Sequence, residues 1–368
     1  MTKSNAISAL LIAACTALIP TAADAAEVFA VKALERDDWR FPIVQGSSKA
    51  VVDRINYVMF VNAFFADHEL IPPANAEDSL KVLTDREARA ISQLDFDVLR
   101  NDRRVFSVQF TGESCGAYCE PFARSVAFDA VSGRLLTDFD LFTEAGRATL
   151  VADIRAANQK TLEKHISHLR STKPSADRTQ DDISAAIAMY QQCLADWRMP
   201  DHYAWPHDMQ IEQATVTFFN GRCSNHAARG LDDLDDLRNT FSFEKLKPRL
   251  NPYGRRVLLG ENVDGKPTSP FGQLLRGTIG KAPITLYVDR VYNWSAGKET
   301  DVGGYYFYDR YRKALRIRGK AMKQRIAFTE YDNEKAQASI TLDVTDDDIR
   351  GKWQSLNNNK ALDIVVAH

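Results

Sequence analysis

Long apolar runs, charge of one sign and enzyme signature motifs are all missing from most of this 368-residue chain. Beyond residues 1–26 no apolar stretch approaches the ~18 residues that a membrane-spanning helix requires. The 47 Lys and Arg are balanced by 49 Asp and Glu, both signs interspersed, for a net charge of −2. That excludes the concentrated basic surface on which nucleic-acid binding depends. No G-x-S-x-G elbow marks a serine hydrolase and no H-E-x-x-H marks a zinc peptidase. The acidic runs Asp232-Asp233-Leu234-Asp235-Asp236 and Asp346-Asp347-Asp348 lack the spaced oxygens and turn-forming Gly of a calcium loop. They are expected to be solvated helix starts, where carboxylates are favoured. No motif implies a cofactor, and the chain leans away from an enzyme.

What is present first is an export signal. Lys3 opens it, Ala6 to Pro20 is almost wholly apolar, and Ala23-Asp24-Ala25 fits an A-x-A cleavage site. Ile12-Ala13-Ala14-Cys15 also resembles a lipobox, with Cys15 as the acylated first residue. The apolar TALIPTAADA that follows Cys15 is not the polar tether of a lipoprotein, so cleavage after Ala25 is favoured. The expected location is periplasmic or secreted. Cleavage leaves Cys115, Cys119, Cys193 and Cys223, an even set in an oxidising compartment. Cys115–Cys119 and Cys193–Cys223 are the favoured disulfides among the possible pairings. The alternative is a metal site, since C-x3-C is near zinc-ligand spacing, but only His226 lies beside a cysteine.

The richest stretch runs from Val105 to Phe142. Phe106/Val108/Phe110 and Phe122/Arg124/Val126/Phe128 alternate at period two and predict a hairpin with Cys115 and Cys119 at its tip. Upstream, EVFAVKAL (27–34) predicts a strand, Phe41-Pro42-Ile43 a lead-in, and Lys49 to about Ala66 an amphipathic helix on Val52, Ile55, Met59 and Ala63. Residues 68–77 read as a loop. Ile91–Val98 is expected as a strand turning at Asn101-Asp102 into the hairpin. Downstream, helices are expected over 144–169 and over 183–197, the second with an N-cap near Asp182. One strand over Ile211–Phe219, a short helix from Asp232 and a terminal helix over 243–250 complete this part. Three Gly and two Pro in GENVDGKPTSPFGQ (260–273) then mark a linker. Beyond it short runs alternate, including Ile284/Leu286/Val288, Tyr306/Tyr308, Leu315/Ile317, Ile326/Phe328, Ile340/Leu342 and Leu362/Ile364/Val366, with bulges expected at Gly303-Gly304 and Gly319. The expected fold class is therefore α+β. A mixed α/β-sheet domain (27–258) and a linker (259–273) precede a small antiparallel β barrel or sandwich (274–368).

The phrase F-D-x-x-[ST]-G-x-x-L-x-x-x-D-L-F, here Phe128-Asp129 through Ser132-Gly133 and Leu136 to Asp140-Leu141-Phe142, carries a family resemblance. Together with PIVQG…VVDRINYVM, VFSVQF and TVTFF, it resembles the extracytoplasmic domain of lysozyme-sensing anti-sigma factors. The same domain accompanies some peptidoglycan deacetylases. The resemblance spans roughly Phe41 to Leu250 and implies a fold and an envelope setting, not an activity. Relatives often carry a Gly-Gly-Ala-His turn where this chain has Cys115-Gly116-Ala117-Tyr118-Cys119, so no histidine role carries over. The phrases GTIGKAPITLYV, GGYYFYD, LRIRG and IRGKW look like a β module of secreted bacterial proteins and add no chemistry.

The leading binding candidate is the hairpin tip. A disulfide-clamped loop loses little entropy on docking. Tyr118 offers an amphipathic anchor, and Glu113 and Glu120 offer negative charge to a cationic partner such as a lysozyme. A peptidoglycan fragment is the other expected partner. His165 and His168, three apart on a helix, are expected on a solvated face. Asp201, His202, His207 and Asp208 are expected as loop polarity. Asp138 and Asp140 are expected as capping residues rather than a glycosidase pair. Tyr305 to Tyr308, Trp294 and Trp353 are expected as core and surface alternation rather than a pocket.

Overall fold

A computed structural model describes residues 28–63 and 91–367, apart from 117, 200–205, 268, 291–299, 312, 323, 333, 346 and 347. The expected export signal, the loop expected over 68–77, Trp294, Asp201, His202, Asp346 and Asp347 lie outside the described residues.

The first sheet has the order β1 (Ala30–Arg36), β2 (Trp39–Gln45), β3 (Ile91–Asn101), β4 (Val105–Cys115), β5 (Cys119–Asp129). Neighbours are antiparallel except β2 and β3, which run parallel and meet only at Trp39↔Leu94. The segment around Pro42 is thus a full strand rather than a lead-in. With so short a junction to β3, Pro42 has a flank with no ladder to break. Helix α1 (Lys49–Ala63) lays Ile55, Val58, Met59 and Phe60 on this sheet. Phe41 stacks on Phe110 with centroids 5.7 Å apart and meets Phe60 edge-on. The Asn101-Asp102 turn is built around the Asp102 side chain. Asp102 Oδ1 accepts from the backbone N–H of Arg104 and Val105, and Arg100 Nε donates to Asp102 Oδ2 at 2.8 Å.

The conspicuous F-D-x-x-S-G phrase is turn chemistry. Asp129 Oδ1 accepts from Val131 N, Gly133 N donates to Asp129 O, and Tyr253 Oη donates to Asp129 Oδ2 at 2.8 Å. Gly133 sits at φ +70°, and a Cβ there would meet Val51 O at 2.7 Å. The D-L-F end of the phrase is a single helical turn, Asp138–Leu141, in which Thr137 and Asp140 form a reciprocal capping box.

A second layer holds α2 (Glu144–Ser171), α3 (Gln180–Arg198) and a sheet of β6 (Asp208–Ile211), β7 (Thr215–Asn220) and β8 (Leu237–Ser242). Helix α3 is capped by Thr179, and Asp182 is the third residue of that capping box rather than the cap. The run from Ile211 to Phe219 is not one strand. Glu212 N bonds to Thr215 O, and Glu212 Oε2 accepts from Thr215 Oγ1, which turns the chain between β6 and β7. No helix starts at Asp232. A 3-10 turn, His226–Leu231, ends there, and the acidic run leads into β8. Asp232 is half-buried and engaged, because its Oδ1 accepts from Tyr190 Oη at 2.7 Å and its Oδ2 from Ser224 N. Short helical turns from Phe243 to Leu259 finish this part, ending at Gly260 in the left-handed region.

Eight antiparallel strands then close a barrel. They are β9 (Gln273–Ile279), β10 (Ala282–Arg290), β11 (Thr300–Tyr308), β12 (Leu315–Met322), β13 (Arg325–Asp332), β14 (Lys335–Val344), β15 (Ile349–Ser355) and β16 (Ala361–Ala367). Each pairs with its sequence neighbour, and β16 pairs with β9 to remove the edges. A barrel of this strand number has an interior that side chains can fill, here with Leu275, Leu286, Val288, Ile317, Phe328, Ile340 and Val366 among others. Gly319 permits close strand approach, since a Cβ there would meet Ala327 O at 1.8 Å. The register shift in this barrel falls not at the glycines but between Glu330 and Tyr331.

The barrel sits against the α+β part. Phe139 and Phe271 rings lie 5.8 Å apart, Gln273 Nε2 donates to Leu135 O, and Arg134 Nη2 donates to Ser269 O. On the barrel's outer wall, Tyr305 Oη approaches Tyr57 Oη of α1 at 3.5 Å.

Candidate functional site

The long β4–β5 hairpin positions the candidate site. Its base is buried in both strands, while Thr111–Cys115 and Cys119–Arg124 project with half-buried or exposed side chains. The register runs without a break from Val105↔Asp129 to Cys115↔Cys119, so the two cysteines close the last rung and are joined as a disulfide. Gly116 N donates to Tyr118 O at 2.9 Å across the loop. Tyr118 is 75% exposed, the most exposed large apolar side chain among the described residues.

The two acids of the tip differ. Glu113 Oε2 accepts from Ser92 Oγ at 2.7 Å on β3. Glu120 Oε1 accepts from Arg229 Nε and Nη2 and lies 2.6 Å from His226 Nδ1. The Arg229 hydrogen bonds hold the Glu120 carboxyl below its usual range. Its charge is thus largely matched within the chain, and the negative charge left to a partner is that of Glu113. Arg229 and His226 belong to the 3-10 turn that follows Cys223, and the Cys193–Cys223 disulfide ties that segment to α3. The tip is therefore braced from the second layer. The sequence does not show this brace, because Arg229 lies 109 residues from Glu120.

Among the described residues the one grouping of metal-type ligand atoms is Glu113, Cys115 and Cys119. Its sulfurs are bonded to each other, so the disulfide and not the metal alternative holds here. Two disulfides are what a chain folded in an oxidising compartment carries, and no helix among the described residues is long and apolar enough to cross a membrane.

The remaining sequence candidates separate. His165 and His168 do not share a solvated face: His168 is exposed, whereas His165 packs edge-on to Tyr190 at 4.6 Å and lies 3.2 Å from Asp233 Oδ2. His207 is exposed, and Asp208 is half-buried with Oδ2 accepting from Ser125 N at 2.8 Å. Burial, with Asp236 adding to it, pushes the Asp208 carboxyl up to about 6 against its N–H donors and Arg124. Asp140 is buried in an ion pair with Arg134 at 2.8 Å, and burial raises its pKa. Asp138 lies 3.6 Å from Arg147 Nη1. Of the two, Asp140 caps the turn with Thr137, whereas Asp138 is its first helical residue.

In the barrel, Tyr305 and Phe307 face outward, while Tyr306 faces inward with Tyr308 and Trp353 packed on the same core. Sequence reasoning missed Glu330, to whose Oε2 both Tyr306 Oη (2.6 Å) and Trp353 Nε1 (2.7 Å) donate. The signal was present: in Ile326-x-Phe328-x-Glu330 a carboxylate occupies the next inward position of an alternating strand.

No family model matches the chain. One solved structure it resembles is a member of the DUF3298 family from Bacteroides fragilis NCTC 9343, at 12% identity and a TM-score of 0.40. The alignment covers 62% of this chain and 94% of that one. Neither finding assigns a function.

Proposed function

We propose that this is an exported, non-catalytic envelope protein that docks a cell-wall-related protein or glycan through the Cys115–Cys119 hairpin tip. A lysozyme-type hydrolase is the sharpest version of the partner, and a peptidoglycan fragment the second. The observation that carries the reading is Tyr118, exposed on a covalently closed loop. A rigid aromatic side chain offers contact area at small entropic cost, whether against a protein pocket or the face of a sugar ring. With Glu120 matched by Arg229, docking rests on Tyr118, with Glu113 as the acidic contribution. The competing reading, a peptidoglycan hydrolase or deacetylase, needs carboxylates free in a cleft, and Asp140 is committed to Arg134 and Thr137.

Calorimetric titration with purified lysozymes and with muropeptides tests the proposal. Binding in the micromolar range that falls at least about tenfold in Tyr118→Ala, with the circular dichroism unchanged, supports it; a lost aromatic anchor has effects of this size. Absence of binding to both ligand classes, or equal binding by the variant, overturns it. Muropeptide turnover would move the protein to the enzymatic class.

A further inference from the structure

The barrel has two different ends. In a meander, alternate turns lie at the same end, so the turns at 280–281, 309–314, 333–334 and 356–360 share one mouth. The opposite end receives Phe271 and Phe139 and adjoins the Gln273–Leu135 hydrogen bond, which attach it to the α+β part. The first mouth has no such cover among the described residues. Its inner rim is formed by half-buried Tyr308, Leu315, Trp353 and Leu362. Two of the most exposed apolar side chains among the described residues, Tyr311 at 69% and Leu356 at 56%, stand on turns of this same mouth.

Glu330 lies just inside that rim and is 6% exposed. The register places it opposite Ile317 on one side and Ala338 on the other, so its carboxylate occupies an otherwise apolar wall. Both donors that reach it, Tyr306 Oη and Trp353 Nε1, are neutral and share Oε2. Among the described residues no Lys, Arg or His forms an ion pair with Glu330, and no donor meets Oε1. Buried carboxylates are ordinarily matched by a cation or by hydrogen bonds to both oxygens, because desolvation is otherwise too costly. Aromatic faces beside such an acid complement a positive charge on an apolar body.

We propose that this mouth is a binding site for a small organic ammonium, whose charged nitrogen donates to Glu330 Oε1 while its apolar part lies between Trp353 and Tyr308. Tyr306 and Trp353 hold the carboxylate in place through Oε2 and leave Oε1 to the ligand. The site is separate from the hairpin tip and uses different residues and ligands. Failure of one reading therefore leaves the other standing.

The test compares probes of one size and different charge. n-Hexylammonium, n-hexanol and hexanoate are titrated into the full-length protein by calorimetry, with the Trp353 indole N–H resonance followed by NMR. The expected result is saturable binding of hexylammonium with a shift of that resonance. Hexylammonium should bind roughly 10- to 100-fold more tightly than hexanol, the range of a hydrogen bond to a charged group, and hexanoate should not bind. Glu330→Gln, which keeps size and acceptor geometry, should remove that preference, and Trp353→Phe should weaken binding of hexylammonium. Equal affinity for hexanol and hexylammonium, undiminished binding by Glu330→Gln, or no saturable binding at millimolar probe overturns the proposal. The comparison of probes on the unaltered protein decides the matter even where a variant fails to fold.

Discussion

His226 Nδ1 lies 2.6 Å from Glu120 Oε1, the same carboxylate oxygen that accepts from the Arg229 guanidinium. One acid on β5 is thereby held by two residues of a turn in another layer. That turn is itself held close to α3 by the Cys193–Cys223 disulfide. The brace predicts that Arg229→Ala loosens the hairpin tip without unfolding the protein. Amide hydrogen exchange over 111–124 should speed up while the base of the hairpin, around Val105 and Phe128, stays protected. Unchanged exchange at the tip would show that the brace is not what orders it.

The two disulfides should not be equivalent. Cys115 and Cys119 are 4 residues apart, whereas Cys193 and Cys223 are 30 apart. Restricting the unfolded chain predicts a loss of about 2 kcal/mol for opening the first and about 3.5 kcal/mol for the second. Paired Cys→Ser variants compared by urea denaturation check the order. A larger loss for the tip disulfide would contradict it.

Asn158 of α2 is buried and bridges two strands: its Nδ2 donates to Asn220 Oδ1, and its Oδ1 accepts from Asn239 Nδ2 at 2.8 Å. Asn158→Ala removes a buried hydrogen bond from each of the two other amides. A loss of about 2–4 kcal/mol is expected in chemical denaturation. An effect below about 1 kcal/mol would mean that water replaces the amide.

Asp208 gives a pH dependence whose sign is set by burial. The fold raises its carboxyl from 3.8 to about 6, so the protonated form is the one the fold prefers. Its contribution to stability is complete below the unfolded value and is lost as pH rises through about 6. The size is at most about 3 kcal/mol, from the free energy of a shift of that order. Asp208→Asn should flatten this part of the profile and gain on the parent protein above pH 6. Denaturation at about pH 3 and pH 7.5, below and above both pKa values, provides the comparison. Parallel profiles for the two proteins would rule the assignment out.

We also propose that residues 27–258 and 274–368 are two folding units, joined where Phe271 of the linker packs into the barrel core and against Phe139. Differential scanning calorimetry should then resolve two overlapping transitions, and Phe139→Ala should weaken their junction by roughly 1–3 kcal/mol. A single transition, displaced as a whole by the substitution, would make them one unit.

Much of the fold was legible in local patterns. Period-two runs placed both strands of the hairpin and most of the barrel strands, and apolar positions at three and four placed α1, α2 and α3. Errors fell where side chains outweigh periodicity. Glu212 and Thr215 bend what reads as one strand into two, and Thr179 rather than Asp182 caps α3 because the two residues cap reciprocally. Asp129 and Gly133, which carry the family-like phrase, serve the turn they sit in.

The sequence alone determined that the chain is α+β and rich in antiparallel strands, that the four cysteines beyond residue 25 form an even set, and that Cys115, Tyr118 and Cys119 share one tip. These follow from composition and from spacing along a strand, which local sterics translate directly into faces and turns. Tertiary structure decided that the strands close into a barrel rather than a sandwich, since closure is the pairing of β16 with β9 across most of that region. It also decided that Glu120 answers to Arg229 and that Glu330 stands among Tyr306 and Trp353. Such contacts join residues far apart in the chain, and the periodicity of either partner records only which way it faces, not what it meets.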